Sequence, residues 1–328
     1  VSALAPVLEG YFTQRLAQRR ASGHTIASYR DAFALLLRFA QQRLGKPAAS
    51  LDLADLDAAL IGAFLDDLEH TRGNGIATRN LRLTAVHSFF SYAALRCPEH
   101  AAIIQQVLAI PTKRPDCTTV TFLTRSETDA LLASPDPTSP LGRRDHLLLL
   151  VAVETGLRVS ELTALTCGDA TPGPAAVVAC HGKGRKQRST PLTATTARAL
   201  QAWIRQRDAQ PTDPLFPTRF GGRLSTDAVA DLLDKHVATA ASTCPSIAAK
   251  RVTPHTLRHT TAMNLLHAGV DTSVIALWLG HATTKSTQPY LHADLKLKEQ
   301  ALARTAPNRA ARARFQPDDE LLAFLERL

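Results

Sequence analysis

The 328-residue chain has little cysteine and no long apolar run, and each shortage closes off a class of protein. Its five cysteines, Cys97, Cys117, Cys167, Cys180 and Cys244, are scattered, odd in number and never spaced as C-x-x-C. That argues against a disulfide scaffold or a zinc ribbon and for a reducing compartment. The longest uninterrupted apolar run, Leu147 to Val153, falls far short of the ~18 residues that a membrane helix needs, so no membrane association is expected. No basic segment followed by an apolar stretch stands at the start, so the expected location is cytoplasmic. No cluster of Asp and Glu marks a two-metal nuclease, and no G-x-S-x-G marks a serine hydrolase.

What is present is an ordinary globular composition, 45% hydrophobic, on a chain long enough for two domains. The net charge of +9 points to a polyanionic partner. It is shared: residues 1–115 carry +4, residues 116–306 carry +5, and residues 307–328 are neutral. A polyanion would therefore have to touch both large parts.

Apolar residues recur at helical spacing throughout the first part: Leu4 to Leu16, Ile26 to Phe39, Asp57 to Glu69, a fourth run capped by Thr78, and His100 to Leu108. Without strand alternation this reads as a four- to five-helix unit. Ile110 to Asp116, with two prolines and the cations Lys113 and Arg114, reads as an exposed linker. Beyond it Thr124-Arg125-Ser126-Glu127 matches a capping box. Helical patterns follow over Arg144–Glu154, Val159–Leu165, Thr193–Arg207, Ser225–Ala241, Thr256–Ala268 and Thr272–Leu279. Ala175–Cys180 and Lys186–Pro191 read as strands joined at Gly182-Lys183-Gly184. The expected fold is mainly α in two domains, the second α+β with a small antiparallel sheet at one edge. Asp318 to Leu328 reads as a terminal amphipathic helix with an acidic first turn.

Four motifs carry the chemistry. Arg158, in Thr155-Gly156-Leu157-Arg158-Val159-Ser160-Glu161-Leu162, follows a glycine break between two helical segments. A glycine-flanked basic turn holds Lys183, Arg185, Lys186 and Arg188, cations suited to phosphate contact. It is not a P-loop, since Val177 and Gly184 occupy positions that require Gly and Ser/Thr. His255 and Arg258, three apart, share one face at the N-terminal end of a helix, where anions are favoured. Leu279-Gly280-His281 is followed by Tyr290. Each motif alone has a plainer explanation: a salt-bridged arginine, a solvated hairpin, a pair of histidines (His255, His259) that hold a metal, a half-buried packing tyrosine. Together they are what a pentavalent phosphoryl transition state needs. Arginines supply forked, always-charged donors, a lysine protonates a leaving oxygen, a histidine moves protons, and a tyrosine serves as nucleophile.

This order, Arg158, Lys183, His255-x-x-Arg258, His281, Tyr290, resembles the tyrosine recombinase (phage integrase) family in its Xer-type layout, over about residues 4–305. The resemblance implies a SAM-like, core-binding helical domain over residues 1–110, a linker over 111–121, a catalytic domain over 122–306 and a tail over 307–328 that either docks on a neighbouring protomer, as tails of that family do, or packs on its own domain. It implies site-specific DNA recombination. Tyr290 would form a 3′-phosphotyrosyl link, Arg158 and Arg258 would hold the non-bridging oxygens, and Lys183 would protonate the leaving 5′-oxygen. His255 would act on the tyrosine proton and His281 would hydrogen-bond the phosphate, with Glu161 a structural carboxylate near Arg158. Lys113, Arg114, Arg185, Lys186 and Arg188 are the expected DNA contacts. No cofactor, metal or ATP is implied. The implied partners are double-stranded DNA with specific sites and further recombinase protomers, a homo- or hetero-tetramer on DNA in the bacterial nucleoid. Three other readings remain open: a type IB-like topoisomerase, a catalytically silent DNA-binding accessory protein, and a metal-dependent hydrolase using His255, His259 and His281.

Overall fold

A computed structural model describes residues 3–114, 120–171, 173, 176–181 and 187–280. The chain forms two compact units, Val1–Cys117 and Thr118–Leu328.

The first unit is helical. Helix α1 (Leu4–Gly10) continues through a π-helical turn, Tyr11–Arg15, into α2 (Leu16–Gln18). Tyr11 and Leu16 are five apart, a spacing that would rotate Leu16 off the apolar face of a regular helix; the wider turn returns it to the core. Helices α3 (Gly23–Leu44), α4 (Ala58–His70), α5 (Ile76–Ala93) and α6 (Ala101–Leu108) complete the bundle. Ser22 and Asp57 cap α3 and α4 through their side chains, and Gly45 ends α3 in the left-handed conformation. Helix α5 starts two residues before the expected cap: Gly75, in extended backbone, is the N-cap and Thr78 lies in the first turn. The core is aromatic at its centre, with Tyr11, Phe33, Phe64, Phe89 and Phe90 buried. The Tyr11 hydroxyl donates to Ser88 Oγ at 2.7 Å, which satisfies a polar group that burial would otherwise orphan.

The start of the linker is tied down on this unit. Asn80 Nδ2 donates to the Lys113 carbonyl and its Oδ1 accepts from Lys113 N. The buried Arg79 guanidinium donates to the carbonyl of Pro111 at 3.0 Å. Lys113 Nζ is ion-paired with Glu69, and Arg114 is exposed.

The second unit combines helices α7 (Arg125–Ala133), α8 (Pro140–Thr155), α9 (Val159–Ala164), α10 (Ala194–Gln206), α11 (Thr226–Ala240), α12 (Pro254–His267) and α13 (Thr272–Leu279) with three strands. These are β1 (Ala170–Thr171), β2 (Val177–His181) and β3 (Gln187–Pro191), antiparallel in the order β1-β2-β3, with Cys180 opposite Arg188. The two-residue β1 is too short to leave a sequence pattern. The mainly helical fold with a small antiparallel sheet is the one read from sequence.

Helix α8 is the spine, packing against α7, α10 and α12. It holds the long apolar run, and Leu147, Leu148, Leu149 and Val151 are all buried. It begins four residues earlier than the periodicity indicates, because Ser139 caps it and Pro140 occupies its first position. The Thr124–Glu127 capping box forms as expected. Glu127 also accepts from Lys250 Nζ at 2.6 Å and from Ser246 at 2.8 Å, binding the head of α7 to the segment before α12. Behind α8, Asp145 is buried between Arg144 and His236 at 2.6 and 3.1 Å. A smaller core of Ala262, Met263, Leu266, Ile275 and Leu279 joins α12 to α13.

Candidate active site

The block Thr155 to Leu162 turns the chain from α8 into α9, and each residue in it has a local reason. Thr155, fully buried, donates its hydroxyl to Val151 O and accepts from Leu157 N. Gly156 closes α8 at φ 62°, a conformation that disfavours a side chain. A Cβ there would also meet Leu279 Cδ2 at 2.6 Å and Thr261 at 3.2 Å, so only glycine lets α8, α12 and α13 approach this closely. Leu157 is buried, and Arg158 is the N-cap of α9.

A cation at a helix N-terminus faces the positive end of the dipole. Glu161, three residues on, offsets this: its Oε2 accepts from Arg158 N and its Oε1 from Arg158 Nη1, both at 2.9 Å. The second branch, Arg158 Nη2, donates to the carbonyl of Gly280 at 3.2 Å. The Arg158 side chain stays 37% exposed, whereas that of Glu161 is 6% exposed. Burial pushes the Glu161 carboxyl upward, but the hydrogen bonds and charges of Arg188 and Arg158 outweigh it and hold the group below the usual carboxylate range.

Arg258 is placed differently. It lies one turn into α12 and is buried, with Nη1 on the carbonyl of Gly156 at 2.6 Å and Nη2 on that of Leu279 at 2.7 Å. Those carbonyls end α8 and α13, so the guanidinium bridges the negative ends of two helices. His255, on the exposed first turn of α12, packs edge-on against His259 with ring centroids 4.2 Å apart. Partial burial of the ring, then the charges of Arg258 and Arg158, hold His255 below the usual imidazole range, so the ring is neutral and able to accept a proton near pH 7. Among the described residues, no group of three His, Cys, Asp or Glu could hold a metal ion.

The structure thus brings Arg158, from the turn between α8 and α9, together with His255 and Arg258, both from α12, and the two arginines hold the carboxyl ends of α8 and α13. It adds Arg188, which sequence reading put among the DNA contacts. From β3, Arg188 makes a forked pair with Glu161, at 3.1 and 2.8 Å, and its guanidinium packs against Gly280. Register with Cys180 fixes its strand position, but nothing in the sequence names Glu161 as its partner. Lys183, Arg185, Lys186, His281 and Tyr290 lie outside the described residues, as does the expected terminal helix. Arg158 and Arg258 both bind the end of α13, at Gly280 and Leu279, directly before His281 in the chain.

Comparison with known proteins shows the family of the chain. Residues 121–296 match the family described as Phage integrase family, and residues 8–96 match Phage integrase, N-terminal SAM-like domain. The putative integrase/recombinase y4rC of Sinorhizobium fredii is 54% identical over 328 residues, covering 100% of this chain and 99% of that protein. The tyrosine recombinase XerC of Pelobacter propionicus is 31% identical over 298 residues, covering 89% of this chain and 93% of that protein. Among solved structures, the XerH site-specific recombinase bound to palindromic difH substrate matches with a TM-score of 0.67 at 24% identity, over 87% of this chain and 81% of that one. The Tn1549 transposon integrase in complex with a circular intermediate DNA matches with a TM-score of 0.69 at 17% identity, over 93% of this chain and 100% of that one.

Proposed function

This chain belongs to the phage integrase family, and from that premise we propose how its own residues carry out the reaction of a tyrosine-type site-specific DNA recombinase, the class of enzyme it is. Tyr290 attacks the scissile phosphate; a 3′-phosphotyrosyl bond forms as the bond to the 5′-oxygen breaks. His255 accepts the phenol proton, and Lys183 gives one to the leaving 5′-oxygen. Arg158 and Arg258 hold the non-bridging oxygens, and His281 hydrogen-bonds the phosphate. The freed 5′-hydroxyl of a partner duplex then attacks the link and releases the tyrosine. One phosphodiester replaces another, so neither ATP nor a metal enters the balance.

The observation that carries this reading is the convergence of Arg158 and Arg258 on the carboxyl ends of α8 and α13, with His255 one turn before Arg258 on α12. The tyrosines support it too. Tyr11, Tyr29 and Tyr92 all belong to the first unit, and Tyr11 and Tyr92 are buried in its core, which leaves Tyr290 as the one tyrosine of the second.

In this reading residues 1–110 are a core-binding DNA domain, 111–121 a linker, 122–306 the catalytic domain, and 307–328 a tail that contacts a neighbouring protomer. Lys113, Arg114, Arg185 and Lys186 meet backbone phosphates. The working assembly is a tetramer of recombinases on two duplexes, in the bacterial cytoplasm.

The test is covalent capture. A duplex selected by the purified protein from a random-sequence pool is nicked near the cleavage point and incubated with the protein and a chelator. A protein–DNA band that resists denaturation is expected, and Tyr290→Phe should abolish it. A band that persists in Tyr290→Phe refutes the nucleophile; loss of the band on adding chelator refutes the metal-free reaction. Tight binding that never yields a link identifies an accessory protein instead.

A further inference from the structure

Glu161 is shared between two arginines, unequally. Arg188 takes both carboxylate oxygens, Nη1 on Oε1 at 3.1 Å and Nη2 on Oε2 at 2.8 Å, while Arg158 reaches Oε1 with a single branch at 2.9 Å. The forked arrangement is the strongest between these two groups. A carboxylate buried beside Arg158 alone would take that fork with Arg158 itself, drawing its donors inward and cancelling its charge. Arg188 is the more enclosed of the two, 14% exposed against 37%, and Gly280 leaves the room its guanidinium occupies. Among the described residues two of the five N–H donors of Arg158 are taken, by Glu161 and the Gly280 carbonyl, and three remain for a ligand.

We propose that Arg188 is a positioning residue of the cleavage site: by forking onto Glu161 it neutralises that carboxylate and leaves the outward donors of Arg158 to the scissile phosphate. Glu161 in turn is needed to hold Arg158 at the head of α9, through the Arg158 backbone N–H. The three arginines and one carboxylate leave two net positive charges around the end of α13; without Arg188 one remains, and it is competed for. The inference rests on the phosphate-holding role of Arg158 proposed above.

Covalent capture on the selected nicked duplex tests it. Arg188→Gln should slow formation of the covalent complex by about 100-fold, the usual cost of one lost transition-state donor. The double variant Arg188→Gln with Glu161→Gln should recover at least about tenfold of that loss, because a neutral amide at that position no longer draws Arg158 inward while its oxygen still accepts the Arg158 backbone N–H. Arg188→Lys, which keeps the charge without the fork, should fall between Arg188→Gln and wild type. The salt dependence of duplex binding separates this role from a direct DNA contact. Under this role the slope lowered in Arg188→Gln, through the withdrawn Arg158, is restored in the double variant with Glu161→Gln, whereas a direct phosphate contact of Arg188 leaves the double variant's slope lowered by about 1. If Arg188→Gln does not fold, the same comparison is made between Arg188→Lys and its double with Glu161→Gln. A double variant no faster than the single one, or one whose salt slope stays about one below that of wild type, overturns the proposal. A wild-type protein that forms no covalent complex overturns the recombinase mechanism itself, so the two failures are distinguishable.

Discussion

Gly156→Ala is the substitution on which the architecture of the site depends most directly. The residue sits at φ 62°, where an alanine is strained by roughly 1–2 kcal/mol. Its Cβ would also enter a filled space. Leu279 Cδ2 lies 2.6 Å away and Thr261 Cβ and Cγ2 lie 3.2 Å away, and both neighbours are buried, so the methyl fits only if the Leu279 side chain shifts within the core. Overpacking of this kind costs about 1–3 kcal/mol. The sum is roughly 2–5 kcal/mol, which for a domain of this size lowers the melting temperature by roughly 4–20 °C. The assay is urea unfolding followed by tryptophan fluorescence, since Trp203 and Trp278 both belong to the second unit and Trp278 adjoins Leu279. The control is Gly62→Ala in α4. There a Cβ meets nothing within 4 Å, so alanine should raise stability by about 0.5–1 kcal/mol, read by circular dichroism. Covalent-complex formation should fall in Gly156→Ala beyond what stability explains, because the Gly156 carbonyl is an anchor of Arg258. A Gly156→Ala protein within about 0.5 kcal/mol of wild type would refute both the strain and the close approach of α13.

Further outcomes follow from the buried charges. Asp145→Asn should destabilise the second unit by about 3–5 kcal/mol, because the Arg144 guanidinium stays buried without its counter-charge; a loss under about 1 kcal/mol in denaturant unfolding would show that it repartners. In Glu127, Asp145 and Glu161, burial raises the carboxyl but its cationic and hydrogen-bond partners prevail, so each folded value is depressed. Such groups stabilise the fold fully above the unfolded carboxylate values near 4, and that contribution is lost as pH falls through the lower folded values. Unfolding free energy should therefore be level near neutrality and decline only on strong acidification, and a decline that begins above about pH 6 would contradict the assignment. The ring NMR signal of His255 should titrate below the ordinary imidazole value, and Arg158→Gln should move it upward by removing one cation; an unmoved titration would remove Arg158 as a cause.

Helix periodicity was readable because it depends on local spacing. The runs at Leu4–Leu16, Ile26–Phe39 and Leu147–Val153 all became buried faces. Helix starts were harder. Thr78 has a capping side chain, yet Gly75 caps α5; Ser139-Pro140 begins α8 ahead of its apolar run. In each case the backbone conformation two to five residues upstream decided, and that is only weakly encoded in residue type.

The sequence by itself indicated most of the long helices and the β2–β3 pair, and the order Arg158, His255, Arg258 that identifies the chemistry, since residue type fixes charge, donor geometry and proton affinity. It also marked Gly156 and Gly280 as breaks. Only the tertiary structure decided what those side chains face. Arg188 is a free cation in the sequence and a counter-ion to Glu161 in the fold, because β3 is brought against the head of α9 from 27 residues away. Arg258 bridges the ends of α8 and α13, which lie 102 and 21 residues from it along the chain. Such long-range pairings are set by how helices and sheet pack as layers, and no local pattern of residues records them.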